Sequence, residues 1–269
     1  GDDIVKYFRT DGIRGEAYSE VTLSLAYLIG LFYKDSEKQV VVGMDTRASS
    51  PDIAKAILSG LEGNKNVSFA GVIPTPGLMY YTLKNDCIGI MITASHNPAR
   101  FNGYKVYGED GAQMSPEDTA KVVSYIEKTP YLSVEGDENS PLILPVPENL
   151  DADYVEELSK LTLSKEAVEK CGADLKLVYT PVHGSGYVPV TTILKKLGIN
   201  ATIVEAQTTK DTEFSTVKVP NPEFKETLSM GIALANEINA DVVFGTDPDS
   251  DRLGVALKDE NGEFVALSG

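Results

Sequence analysis

Asp247, Asp249 and Asp251 alternate in the stretch "TDPDSDR", directly after the apolar run "ADVVFG". Three carboxylates at this spacing repel one another unless a cation sits among them, and hard oxygen donors suit Mg²⁺ or Ca²⁺. An EF-hand loop needs Gly at its sixth position and Glu at its twelfth. Counted from Asp247, those positions hold Arg252 and Lys258, so that cage is excluded. The plain alternative is an acidic surface turn. The position after a strand argues against it, because ligands gather beyond the C-terminal ends of strands in open α/β sheets. Arg252, beside the acids, offers a forked donor suited to a phosphate oxygen that shares the cation.

A second cluster is "ITASHNPARFNGYK", where Ser95, His96, Asn97 and Pro98 follow an apolar run and Lys105 comes ten residues after the serine. The chain has only two histidines, and one stands beside a serine. A hydrolase triad does not follow: neighbouring residues rarely aim their side chains at each other, and no G-x-S-x-G elbow is present. A serine with His, Asn, Lys and a metal loop makes a better phosphate carrier than an acyl carrier. On that reading His96 completes a donor-rich nest for a phosphate and is not a neighbouring base. The plain alternative is a hydroxyl-stabilised turn ended by proline.

Weaker signals stand elsewhere. "KYFRTDGIRGE" offers Arg9 and Arg14 around Thr10, Gly12 and Gly15, which allow a tight loop; a solvated N-terminal turn would read the same way. "VHGSG", with His183, looks like an anion-cradling glycine loop. "MDTRASS", with Arg47, reads as ordinary loop chemistry.

These residues need elements to hold them. "QVVVG" predicts a short strand running into "MDTRASS", and Pro51 then opens a helix, "PDIAKAILSGLE". "NVSFAGVI" and "CIGIMIT" predict strands around the helix "TPGLMYYTLKN", the second strand apolar on both faces as a buried parallel strand would be. "KVYGEDGAQ" reads as a strand and turn, and Ser115-Pro116 as the start of a helix. Residues 133–149 are acidic and rich in turn formers, which predicts an interdomain crossing. The helix "DADYVEELSKL" resumes after it, with an acidic first turn. In the second half, strands are predicted at "LKLVYTPV", "ATIVEA", "ADVVFGT" and "LGVAL", with helices at "YVPVTTILKKLG" and "FKETLSMGIALANEI" between them. The rhythm predicts an α/β chain of two tandem domains, each a mixed, mostly parallel sheet flanked by helices. The expected boundaries are 1–146 for the first domain, with the serine loop, and 147–260 for the second, with the metal loop. Residues 261–269 then begin a truncated third domain. The start at Gly1 without Met, and a final turn and strand in "NGEFVALSG", suggest a fragment.

Composition bounds the partners. A length of 269 residues suits two domains, and 42% hydrophobic residues supply a normal core. The formal net charge of −16 repels nucleic acid and anionic membrane, so an anion must be captured by a local group of Arg, Lys and backbone N–H. Two cysteines are too few for a disulfide framework, and a cytoplasmic setting is expected. No apolar run approaches a membrane span.

Together "FRTDGIRG", "TASHNP…NGYK", "HGSG" and "GTDPDSDR" stand in an order that resembles the α-D-phosphohexomutases, the phosphoglucomutases, phosphomannomutases and phosphoglucosamine mutases. The resemblance covers nearly the whole chain and matches the first two of that family's four domains. It implies interconversion of hexose 1-phosphate and hexose 6-phosphate through a phosphoserine and a bisphosphorylated sugar. Ser95 then matches the phosphoserine and a metal ligand, and Asp247, Asp249 and Asp251 match the other Mg²⁺ ligands. Arg14 and Arg252 match residues that contact the phosphoryl group, and His96 and Lys105 residues that border the transfer site. Lys105 is the candidate for proton exchange with the sugar hydroxyl. The implied partners are hexose phosphate and hexose bisphosphate. The domains that read the sugar and grip the distal phosphate would lie outside this chain. The motifs do not settle the sugar: Arg9 after Phe8 leans toward the phosphomannomutase/phosphoglucomutase branch, whereas "TDGIRG" is also the wording of phosphoglucosamine mutases.

Two readings of other classes stay open at this point. A metal-dependent phosphatase would use an aspartate of "DPDSD" as nucleophile and form an aspartyl phosphate. A non-catalytic phosphosugar-binding module would bind ligand without carrying phosphate on Ser95.

Overall fold

The structure is a computed structural model that describes residues 8–9, 12–108, 115–128, 143–144, 155–156, 166, 169, 174–209 and 211–267. The chain divides into two compact units: Gly1–Ala94 with Ala99–Pro147, and Ser95–Pro98 with Glu148–Gly269. The short loop Ser95–Pro98 therefore groups with the second unit. Of the predicted helix at 151–161 only Val155 and Glu156 are described, and both are helical; most of the predicted crossing at 133–149 lies outside the described residues.

The first unit is a seven-stranded sheet in the order β1-β2-β6-β5-β3-β4-β7. Its strands are β1 (Phe8–Arg9), β2 (Gly12–Glu16), β3 (Val40–Met44), β4 (Val67–Val72), β5 (Ile88–Ile92), β6 (Phe101–Tyr107) and β7 (Ile143–Leu144). From β5 through β3 and β4 to β7 the pairs are parallel; β5–β6, β6–β2 and β2–β1 are antiparallel. Parallel strands must be covered on both faces, and β3, "VVVGM", is buried along nearly its whole length. Helices α1 (Leu23–Tyr33), α2 (Ser50–Gly60), α3 (Thr75–Asn85) and α4 (Pro116–Lys128) flank the sheet. The α2 helix begins as expected, with Pro in the first turn and Asp52 at the positive end of its dipole. The α1 helix was not signalled by periodicity. Its sequence "LSLAYLIGLFY" is apolar nearly all round, so it shows no polar stripe. The oxygen of Thr22 caps it by accepting from the Leu25 N–H at 3.1 Å.

The "TDGIRG" stretch differs from the tight loop expected of it, since Gly12–Glu16 is a strand. Gly12 has φ +89, and a Cβ there would meet the Tyr104 carbonyl oxygen at 2.3 Å. Glycine here permits close approach of β2 to β6.

The second unit is a five-stranded sheet, β12-β11-β10-β8-β9, built from β8 (Leu177–Thr180), β9 (Ala201–Ile203), β10 (Val242–Thr246), β11 (Leu253–Lys258) and β12 (Phe264–Leu267). The pairs β10–β8 and β8–β9 are parallel, and β10–β11 and β11–β12 antiparallel. Alternation along β8 sends side chains to opposite faces. Val178 joins Leu228, Ala235 and Val243 under α6 (Ser229–Ile238), while Leu177 and Tyr179 join Leu194 of α5 (Tyr187–Lys196). The predicted helix "FKETLSMGIALANEI" starts later than expected, at Ser229. The final stretch, read as the opening of a further domain, hydrogen-bonds along β11 as an edge strand. Among the described residues, no helix is long and apolar enough to cross a membrane.

Candidate active site

The loop after β10 carries the three aspartates. Its neck is fixed by Tyr179 and Thr246, whose hydroxyls lie 2.7 Å apart. Asp247 and Asp249 are fully buried, and Asp251 is exposed. One ligand oxygen from each of the three acids falls within 4.8 Å of the others. The Oδ1 of Asp247 accepts the backbone N–H groups of Asp251 and Arg252, each at 3.1 Å. Ser250 takes φ +57 at the bend, and its N–H donates to the Asp247 carbonyl at 2.9 Å. The loop is wrapped around its first aspartate.

The glycine loop "HGSG" packs against this cage through its backbone. The Gly184 N–H donates to the Pro181 carbonyl and the Ser185 N–H to the Pro248 carbonyl. The Ser185 hydroxyl donates to that same Pro248 carbonyl at 2.8 Å. His183 is buried, one ring nitrogen 3.0 Å from the Thr209 carbonyl and the other 2.7 Å from the Thr216 hydroxyl. These groups are already committed to protein partners. A Cβ at Gly184 would meet the Pro248 Cα at 2.7 Å and the Asp247 carbonyl oxygen at 2.9 Å. Glycine is needed because the two loops touch through backbone.

Ser95 meets the cage directly. Its hydroxyl donates to Asp247 Oδ2 at 2.7 Å and to Asp251 Oδ1 at 3.3 Å. His96 Nδ1 lies 3.4 Å from the same oxygen. Ser95 is buried and holds φ +52, a left-handed conformation uncommon for a residue with a Cβ. Such conformations persist where the surroundings over-determine them and cluster at working sites.

Electrostatics agree with the geometry. The Asp247 carboxyl is pushed up to about 9, first by burial and then by Asp249 and Asp251; the Ser95 hydroxyl and the Arg252 N–H oppose the rise. Burial and like charges hold this carboxyl toward its neutral form, and a cation placed among the acids would favour the ionised one. Three carboxylates and a serine oxygen form an all-oxygen donor set that fits a hard divalent cation.

The remaining site residues lie on other elements. The Arg252 guanidinium pairs with Glu223 at 3.2 Å, both side chains being more than a third exposed. Arg14 sits on β2 and Lys105 on β6. Because Arg14 is opposite Gly103, the register places Arg14 and Lys105 diagonally on one face of the first sheet. Lys105 is buried there.

Comparison with known proteins gives this arrangement its context. The profile of phosphoglucomutase/phosphomannomutase alpha/beta/alpha domain I matches residues 5–132, and that of domain II matches residues 152–262. The chain belongs to the phosphoglucomutase/phosphomannomutase family. A phosphoglucomutase of Staphylococcus epidermidis is 36% identical over 283 residues, covering 97% of this chain and 50% of that protein. One from Staphylococcus aureus is 33% identical with the same coverage. The chain thus spans about half the length of the curated relatives it matches. Among solved structures, a putative phosphomannomutase of Thermus thermophilus aligns with a TM-score of 0.77 and 27% identity, over 96% of this chain and 57% of the other. In this phosphoglucomutase/phosphomannomutase chain, sequence reading had picked out the acids and the serine. It had passed over Glu223, which engages Arg252, and Tyr179 and Thr246, which fix the neck of the loop. A carboxylate 29 positions from its arginine leaves no local pattern to read.

Proposed function

We propose that this chain carries the phosphoryl-transfer centre of a phosphohexomutase that interconverts hexose 1-phosphate and hexose 6-phosphate through phospho-Ser95. The supporting observation is the Ser95 hydroxyl at 2.7 Å from Asp247 in a cage of three aspartates. In the forward half-reaction, the bond between Ser95 Oγ and phosphorus breaks and a sugar hydroxyl oxygen bonds to that phosphorus. The sugar hydroxyl gives up its proton, Lys105 being the proposed carrier, and one proton is delivered to the departing Ser95 oxygen, so the serine hydroxyl is regenerated. The product is a hexose bisphosphate, and return of its other phosphoryl group to Ser95 completes the exchange. Asp247, Asp249, Asp251 and Ser95 would hold Mg²⁺, which when bound offsets charge on the phosphoryl oxygens.

Phosphoryl transfer depends on in-line positioning and charge neutralisation more than on covalent help. Arg14, Arg252 and His96 are assigned to hold the phosphoryl oxygens. With a formal net charge of −16 on the whole chain, an anion must be captured by local cationic and N–H groups. Choice among glucose, mannose and glucosamine phosphates is assigned to residues beyond those of this chain.

Intact-mass measurement after incubation with Mg²⁺ and glucose 1,6-bisphosphate tests the proposal. One added phosphate, mapped to Ser95 and lost in Ser95→Ala, is expected. An alkali-labile aspartyl phosphate that survives Ser95→Ala would show a phosphatase instead. Bound bisphosphate with no phosphate transferred would show a binding module.

A further inference from the structure

We propose that Asp45 and Arg47 are positioning residues that clamp both stems of the loop bearing Ser95; as a statement about catalysis this rests on the Ser95 reading above. The pair lies in "MDTRASS", after β3. Arg47 Nε donates to Asp45 Oδ2 at 3.1 Å, and neither side chain has exposed surface. Asp45 Oδ2 also accepts the Thr93 hydroxyl at 2.7 Å, two residues before Ser95. Its Oδ1 accepts the Ser50 hydroxyl at 2.9 Å and the Arg47 N–H at 3.1 Å. On the far stem, Arg47 Nη1 donates to the Phe101 carbonyl at 3.2 Å. Asn102 donates to the hydroxyls of Ser49 and Ser50 at 2.8 and 3.1 Å, and its own oxygen accepts the Gly103 N–H at 2.8 Å. The Thr93 N–H donates to the Gly103 carbonyl at 3.0 Å, which ties one stem to the other.

Asp45, Arg47, Ser49, Ser50, Thr93 and Asn102 are all buried. A buried ion pair is poor at adding stability compared with apolar residues of equal volume; its best-attested use is to specify one geometry. Here the pair reaches both stems of the serine loop, Asp45 Oδ2 through the Thr93 hydroxyl and Arg47 Nη1 through the Phe101 carbonyl. Between them Ser95 keeps its left-handed φ of 52, a conformation that needs its flanks fixed. The clamp fixes them.

The test uses the full chain with Thr93→Val, which keeps the shape and removes the donor to Asp45, and Thr93→Ser, which keeps the donor. Ser95 phosphorylation by glucose 1,6-bisphosphate and Mg²⁺ is timed by mass, and amide hydrogen exchange is followed in residues 94–100. A misplacement of ~1 Å can cost ~10²-fold in rate. The expectation is a fall of at least about tenfold for Thr93→Val with near-complete rescue in Thr93→Ser. Amides of 94–100 should lose protection in Thr93→Val while those of β10 and β11 keep theirs. Wild-type phosphorylation in Thr93→Val, or no rescue in Thr93→Ser, overturns the clamp. Should the wild-type chain take up no phosphate, the Ser95 reading fails, and the clamp is decided by exchange: unchanged protection of 94–100 in Thr93→Val refutes it.

Discussion

The Ser95 hydroxyl donates to Asp247 across 2.7 Å, although 152 positions separate the two residues. That bond sets a serine oxygen beside the three acids, and it opposes the rise in the Asp247 carboxyl. Ser95→Ala removes one candidate ligand and leaves Asp247 Oδ2 without that donor. Hydrogen bonds to charged groups contribute about 1.5–3 kcal/mol, so Mg²⁺ affinity measured by calorimetry should fall at least about tenfold. Unchanged affinity would remove the serine from the cation site.

Like charges at close range make the cation-free cage unfavourable. Asp249→Asn keeps the shape of a buried side chain and removes one charge beside Asp247. Chemical denaturation without metal should show a gain of about 1 kcal/mol. The same variant should lose the stabilisation that the wild-type chain gains at saturating Mg²⁺, about 2.7 kcal/mol at a hundred times Kd. A variant that is less stable without metal, yet still stabilised by it, would place the cation elsewhere.

Backbone contact between the glycine loop and the acidic loop gives a third expectation. Gly184→Ala forces the Pro248 backbone to move, because a Cβ would lie 2.7 Å from its Cα. Overpacking of this kind costs about 1–3 kcal/mol. The shift falls on the cage, so Mg²⁺ affinity should drop along with stability. Loss of stability with full affinity would show that the glycine loop does not support the site.

Cys87 is fully buried, and burial first, then Asp86, pushes its thiol from 9.0 up to about 12. The folded-state value lies above the unfolded one, so its stabilising contribution is whole below pH 9 and fades as pH rises from 9 toward 12. In Cys87→Ala the loss of stability between pH 9 and 10 should be shallower than in the wild-type chain. Cys87 should also resist alkylation at pH 8 until the chain is unfolded. Rapid native alkylation, or identical pH slopes, would contradict its burial.

Legibility in the sequence followed locality. The metal loop, the serine loop and α2 were readable because each is written in consecutive residues: alternating acids after a strand, a serine beside His and Asn, a helix opened by Pro51. The α1 helix was not, because an all-apolar helix has no stripe. The loop-to-loop contact of Gly184 in "HGSG" was not legible, because only the partner loop around Pro248 reveals it. Asp45 and Arg47 looked ordinary for the same reason. Their importance lies in Thr93 and Phe101, 48 and 54 positions away, and no local pattern records such partners.

Anomalous diffraction from crystals soaked in Mn²⁺ tests the central claim most directly. The account predicts one strong peak bonded to oxygens of Asp247, Asp249 and Asp251 and to the oxygen on Ser95 or its phosphate. A cage left empty at saturating Mn²⁺, or a peak with no oxygen of Ser95 among its ligands, would contradict it.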